Sequence, residues 1–155
     1  MRASCSVATN ASTPALICDT GAVLDYLVRD APDHQRFRKA IDSARARFVP
    51  GLVLAEVDYF LRGNRKAMGA FVDDIRQGAF TYAPPSSHHL WRAMQVDARF
   101  ADLSLGLVDA SIVVLAEELG MKRVATRDIR HFGAVRLSNG DALELVVQPT
   151  RPDRS

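Results

Sequence analysis

Four carboxylates, Asp19, Glu56, Asp109 and Asp128, stand where apolar runs give way to helices or loops. Asp19 closes Ala15-Leu16-Ile17-Cys18. Glu56 lies on the helical run after Phe48-Val49-Pro50. Asp109 opens the run Val108 to Leu119, and Asp128 follows Arg123-Val124-Ala125-Thr126. Carboxylates gathered at one place repel, so they need a divalent cation or protonation to coexist. No Cys/His set accompanies them, and oxygen donors alone select a hard cation such as Mg2+ or Mn2+ over zinc. The chemistry on offer is activation of a water and neutralisation of charge on a phosphate ester.

Whether the acids meet depends on the elements that carry them. Leu16-Ile17-Cys18, Arg47-Phe48-Val49, Ala79 to Tyr82, Lys122 to Thr126 and Leu143 to Val147 read as short strands. Between them, apolar spacing predicts helices over 21–29, 34–46, 52–61, 66–76, 88–100 and 108–119. Ser86 and Ser87 can cap the fifth helix, and Gly120 can close the sixth. Alternation of short apolar strands with helices implies a parallel sheet covered on both faces. The expected fold is therefore a three-layer α/β/α domain with a roughly five-stranded parallel sheet.

In such a sheet, ligands bind outside the carboxyl ends of the strands. Asp19 is at that edge directly. The helix from Val108 runs away from it for about 18 Å, and the strand from Lys122 climbs back, so Asp109 and Asp128 return to one edge. Glu56 starts lower in its helix, but its Cα–Cβ bond tilts towards the helix N-terminus and its longer side chain reaches up. Glu56 shares a face with Leu52, Val53 and Phe60, and Asp109 with Ile112, Val113 and Ala116. An acid on an apolar stripe is costly to bury unless it is paired or bound to metal. Alone, Asp19 and Asp109 read equally well as helix caps and Asp128 as a loop residue.

Composition narrows the class. The chain has 155 residues, 48% of them apolar and 25% charged, and it carries a formal charge of +2. That is one ordinary globular domain, too weakly basic to demand a nucleic-acid partner. Five of the basic residues (Lys122, Arg123, Arg127, Arg130, Arg136) nevertheless fall between 121 and 137, against Asp128 alone. Cys5 and Cys18 make neither a disulfide framework nor a zinc spacing, which suits a reducing cytosol. No apolar stretch approaches a membrane span. Residues 1–14 lack the apolar core of a signal peptide and read as a disordered tail or an upstream start; residues 148–155 are a polar tail.

With these residues in hand, the chain resembles PIN-domain ribonucleases, specifically the VapC-type toxins of toxin–antitoxin pairs. The likeness is carried by Cys18-Asp19-Thr20-Gly21-Ala22-Val23-Leu24, by Leu54-Ala55-Glu56-Val57-Asp58-Tyr59, by Leu105 to Ser111 and by Val124 to Phe132. It makes 15–147 a PIN domain and implies a Mg2+- or Mn2+-dependent endoribonuclease with the acid quartet as its site. Asp19 and Asp109 are the first metal ligands, joined by Glu56 and Asp128 directly or through water. It further implies a small antitoxin partner, an RNA substrate, a cytoplasmic setting and a homodimer formed through helices. Thr126 matches the hydroxyl common two residues before the last acid. Gly21 departs from the Ser or Asn common two residues after the first.

Arg127 and Arg130 flank Asp128 and are candidate phosphate contacts, with ordinary solvated surface the plain alternative. His131, near Asp128, is a weaker one. His88 and His89 read as surface, and Trp91, Met94 and Phe100 as core or dimer contacts. A catalytically inactive PIN-like module that binds RNA or protein is the alternative function. A receiver-type signalling domain fits less well, because one acid follows the first strand and no Lys follows residue 122. A D-x-D phosphatase fails at Gly21, and no G-x-G-x-x-G follows any strand.

Overall fold

Leu16, Ile17 and Cys18 have no solvent-accessible surface, a state that the centre of a sheet covered on both faces provides. They form β1 (Leu16–Cys18) of the computed structural model, which describes residues 14–146. The chain continues as α1 (Thr20–Leu27), α2 (His34–Asp42), β2 (Arg47–Pro50), α3 (Gly51–Phe60) and α4 (Arg65–Arg76). Then come β3 (Thr81–Ala83), α5 (Ser87–Arg99), a 3-10 turn (Ala101–Leu103), α6 (Gly106–Leu119), β4 (Arg123–Ala125), α7 (Ile129–Ala134) and β5 (Glu144–Val146). The tail expected at 148–155, Cys5 and the N-terminal extension up to residue 13 lie outside the described residues.

The strands pair in the order β3-β2-β1-β4-β5, all parallel. The chain moves outward from β1 to β3, then crosses back over the sheet to β4 and continues to β5. Right-handed crossovers send the connections of the two halves to opposite faces, which gives the three-layer α/β/α arrangement. The core between the layers holds Phe37, Phe71, Ile41, Ile112, Val53 and Val113, all essentially inaccessible. Tyr26, Phe80 and Phe71 meet edge to face beside them. Burial pushes the Cys18 thiol up to about 12, so it is an inert part of this core. No helix among the described residues is long and apolar enough to cross a membrane.

Element ends differ from the pattern-based expectation for identifiable reasons. α2 stops at Asp42 rather than Ala46 because its open carbonyls find other donors. The Ser43 hydroxyl donates to Lys39 O at 2.7 Å, and Arg47 donates to Ile41 O and Asp42 O at 2.6 and 2.7 Å. β3 begins at Thr81, not Ala79, because Gly78 turns through φ +87° and the Ala79 N–H still bonds Asp74 O at 2.9 Å. Phe80 is thereby turned into the core. α6 starts at Gly106, whose N–H donates to Asp97 Oδ1 at 3.0 Å. Trp91 and Met94 are exposed on α5 and are no part of the core, whereas Phe100 packs against it.

The short helix α7 was not evident from periodicity. Its six residues include Gly133, a poor helix former, so tertiary contacts hold it. Asp128 caps its first turn, and Phe132 anchors it with 0% exposure. Phe132→Ala should cost about 3–5 kcal/mol of stability, read as a lower urea midpoint; an unchanged midpoint would show that α7 is not pinned by this ring.

Candidate active site

Cys18 lies opposite Ala125 in the β1–β4 pairing, so the next residues, Asp19 and Thr126, stand side by side at the carboxyl edge. This is where the winding of the chain reverses, the place a parallel sheet leaves a crevice. Asp19 is 7% exposed. Its Oδ1 accepts the Thr20 N–H at 2.7 Å and its Oδ2 accepts the Thr126 hydroxyl at 2.8 Å. Asp19 thus caps α1 with one oxygen and meets Thr126 with the other. The Thr126 oxygen in turn accepts the Asp128 N–H at 2.9 Å, tying the first and last acids through one hydroxyl.

Glu56 is half-buried on α3, which packs against α1. Its Oε1 accepts the Thr20 hydroxyl at 2.6 Å. Its face is buried at Val53 and Val57, but Phe60 at the outer end is 62% exposed. Asp109 is the fourth residue of α6. It lies past the cap position because the helix begins earlier than its apolar pattern suggests. Asp128 caps α7, its Oδ1 accepting the His131 N–H at 3.0 Å.

His131 completes the group and was underrated by sequence reasoning. Its Nδ1 lies 2.8 Å from Asp128 Oδ2 and 3.2 Å from Asp109 Oδ2. The ring nitrogen thus stands between the two carboxylates. Ligand atoms of Asp109, Asp128 and His131 all fall within 4.8 Å of one another. The available signal was the three-residue spacing from Asp128, which places both side chains on one face once α7 is known.

The acids sense one another. Burial raises the Asp19 carboxyl above its ordinary range. Hydrogen bonds from Thr126 and Thr20 oppose that rise, while the charges of Glu56 and Asp128 add to it. Burial pushes Asp109 up to about 6, with repulsion from Asp19 and Asp128 adding and the His131 contact opposing. A carboxylate set of this kind, Asp19 buried and the other three half-buried, fits a divalent cation: carboxylate oxygens dominate the donors, a single imidazole joins them, and their charge calls for a counter-charge. The group whose ligand atoms are close enough to share such an ion is Asp109, Asp128 and His131. Asp19 and Glu56 stand outside it, near enough for the charges of Glu56 and Asp128 to act on Asp19 and that of Asp19 on Asp109.

Arg127 and Arg130 are both exposed. Arg127 reaches back over α1, with its Nε 3.5 Å from Asp25 Oδ2. Its guanidinium fills the space a side chain at Gly21 would need, the Nε lying 2.6 Å from an ideal Cβ there. The hydroxyl expected at position 21 is instead supplied one residue earlier, by Thr20 to Glu56. Arg130 makes no ion pair among the described residues.

The raised Asp109 fixes the sign of a pH effect. A carboxyl whose folded pKa exceeds its unfolded value contributes stability that is fully present below about pH 4 and lost as pH rises through about 6. Without metal, Asp109→Asn should therefore raise the melting temperature at pH 7.5 and change it little at pH 4. An equal effect at both pH values would show that Asp109 is not strained by charge.

Comparison with known proteins agrees with this architecture. The sequence profile of the PIN domain matches residues 16–136. Ribonuclease VapC26 of Mycobacterium tuberculosis is 32% identical over 134 residues, 84% of this chain and 99% of that protein. Among solved structures, VapC20 of Mycobacterium tuberculosis, described as a sarcin-ricin loop cleaving toxin, superposes with a TM-score of 0.69 at 15% identity, covering 77% of this chain and 94% of that one. A toxin-antitoxin complex from Klebsiella pneumoniae gives 0.60 at 16%, covering 77% and 92%. The profile match and the VapC26 alignment each span most of the domain, and on that ground the chain belongs to the PIN-domain family, among its VapC-type members.

Proposed function

We propose that this chain is the toxin of a toxin–antitoxin pair, a Mg2+- or Mn2+-dependent endoribonuclease that hydrolyses RNA phosphodiester bonds. The observation that carries the reading is that Asp19, Asp109 and Asp128 act electrostatically on one another at the carboxyl edge of the sheet, with Glu56 beside Asp19, where burial and mutual repulsion leave carboxylates in need of a cation. The names of VapC26 and VapC20, a ribonuclease and a cleaving toxin, support it, as does the toxin-antitoxin complex among the structural neighbours.

In this reading Asp19 and Asp109 hold the ion, with Glu56 and Asp128 joining directly or through water. When bound, such an ion would supply acidification of a water and neutralisation of charge on the scissile phosphate. The chain's own part is orientation. Thr126 fixes the Asp19 carboxylate, Thr20 fixes Glu56, and His131 holds Asp109 and Asp128 at a common distance. In this reading a carboxylate free of the ion, Glu56 or Asp128, would accept the proton of the attacking water. Arg130 is a candidate for neighbouring phosphates. We place the protein in the cytoplasm as a homodimer bound by its antitoxin, with exposed Trp91 and Met94 of α5 suited to a helix-mediated contact.

Asp19→Asn or Asp109→Asn should abolish divalent-dependent RNA cleavage and relieve growth arrest on expression. Cleavage unchanged by both would end the nuclease reading and leave a PIN-like RNA- or protein-binding module. Mn2+ at a hundred times its Kd should stabilise the wild-type chain by about 2.7 kcal/mol, a gain absent in Asp19→Asn. Thr126→Val should weaken Mn2+ affinity about 10–100-fold, measured by calorimetry; full affinity would show that this hydroxyl orients nothing.

A further inference from the structure

Asp25 is 3% exposed, yet it carries a carboxylate. Burying a charge is costly unless it is paired, and its one ion pair among the described residues is with Arg127, at 3.5 Å. The imidazole nearby, His34, meets the Asp25 backbone oxygen at 2.8 Å instead. Gly21 and Asp25 are four residues apart on α1 and so share one face. The Arg127 side chain lies along that face, across Gly21 to Asp25. A Cβ at position 21 would stand 2.6 Å from its Nε and 3.2 Å from its Cζ and Nη2. The absent side chain at 21 is what gives the guanidinium its seat.

The seat has an outward-facing occupant. Arg127 is 47% exposed, and among the described residues its guanidinium makes no hydrogen bond of normal length. Its Nε side is turned to Asp25 and Gly21, and no hydrogen bond among the described residues occupies its terminal N–H groups, which leaves that end of the fork to a ligand. Its backbone lies between Thr126, which binds Asp19, and Asp128. A fixed positive fork thus borders a cluster of four acids that would otherwise repel a polyanion.

We propose that Arg127, seated over Gly21 and oriented by the buried Asp25, is the anchor for an RNA phosphate next to the acidic crevice, with Asp25 and Gly21 as positioning residues. This rests on the nuclease reading for its substrate class. A guanidinium suits the task because its planar fork matches phosphate oxygens in pairs.

The test is binding of a labelled single-stranded RNA to the full chain across a salt series, alongside steady-state cleavage. Arg127→Gln should reduce the slope of log affinity against log salt by about 0.7. It should raise KM about tenfold or more with kcat little changed, as the loss of a charged hydrogen bond outside the reacting centre predicts. Arg127→Lys, which keeps the fold's charge, should restore the slope but not the affinity. Gly21→Ser should raise KM with the slope intact, since it displaces the guanidinium and changes no charge. Asp25→Asn should also raise KM, because Arg127 keeps its own charge but loses the partner that orients it. A slope and KM unmoved by Arg127→Gln, or no RNA binding by the wild type, would overturn the assignment. Failure of the wild type to cleave RNA sinks the nuclease reading instead, and the salt slope still decides Arg127.

Discussion

Repulsion between Asp19, Glu56, Asp109 and Asp128 works against the folded state whenever no cation is bound, because four elements deliver negative charge to one crevice. The rest of the molecule offsets that repulsion. β1 is inaccessible to solvent along its whole length, and each fully buried aliphatic side chain contributes about 1.5–3 kcal/mol. Two threonines give their hydroxyls to the acids, Thr20 to Glu56 and Thr126 to Asp19, and at Asp19 that bond favours the charged form that burial disfavours. The same compromise is common at functional sites, where local strain is accepted and stability is supplied elsewhere.

The distal half of the site depends on a second set of contacts. α5 and α6 pack along their lengths, and Arg92 on α5 is paired with both Glu117 and Glu118 on α6. Glu117 also accepts the backbone N–H and hydroxyl of Ser138, each at 2.9 Å. That brace joins the two helices to the segment entering β5, at the end of α6 far from Asp109. Only 15% of the Glu117 side chain is exposed, so the pair is better shielded from water than a typical surface ion pair. α6 is thus fixed at both ends, by the brace at its foot and by the acidic site at its head.

Much of this was legible beforehand, and what was not follows from short-range chemistry that periodicity ignores. Alternating apolar strands and helices implied the parallel sheet, and a parallel sheet implied that Asp19, Asp109 and Asp128 return to one edge. Glu56 needed only the tilt of a helical side chain. By contrast, α7 has one anchoring aromatic and a glycine in six residues, too little for a periodic signal. His131 was consequently seen as a neighbour of Asp128 in sequence and not as a bridge to Asp109. Gly21 looked like a missing hydroxyl. In the folded chain its emptiness is occupied, because a guanidinium from a residue far along the sequence lies across it.

The hydrogen bond from Thr126 to Asp19 spans 107 positions in the chain, and that separation has a consequence for how the protein comes into being. A polypeptide emerges N-terminus first and folds by units as it does so. The first acid and β2 on one side of it come early, but β4 on the other side, the hydroxyl partner and the last acid belong to the final quarter of the described residues. Contacts of such long range form late and slowly. An interrupted or half-made copy therefore carries β1, α3 and their carboxylates without a closed crevice. For a chain whose completed form we read as harmful to its own cell, the order of the strands withholds Thr126, Asp128 and His131 from any copy that stops short of β4 and α7.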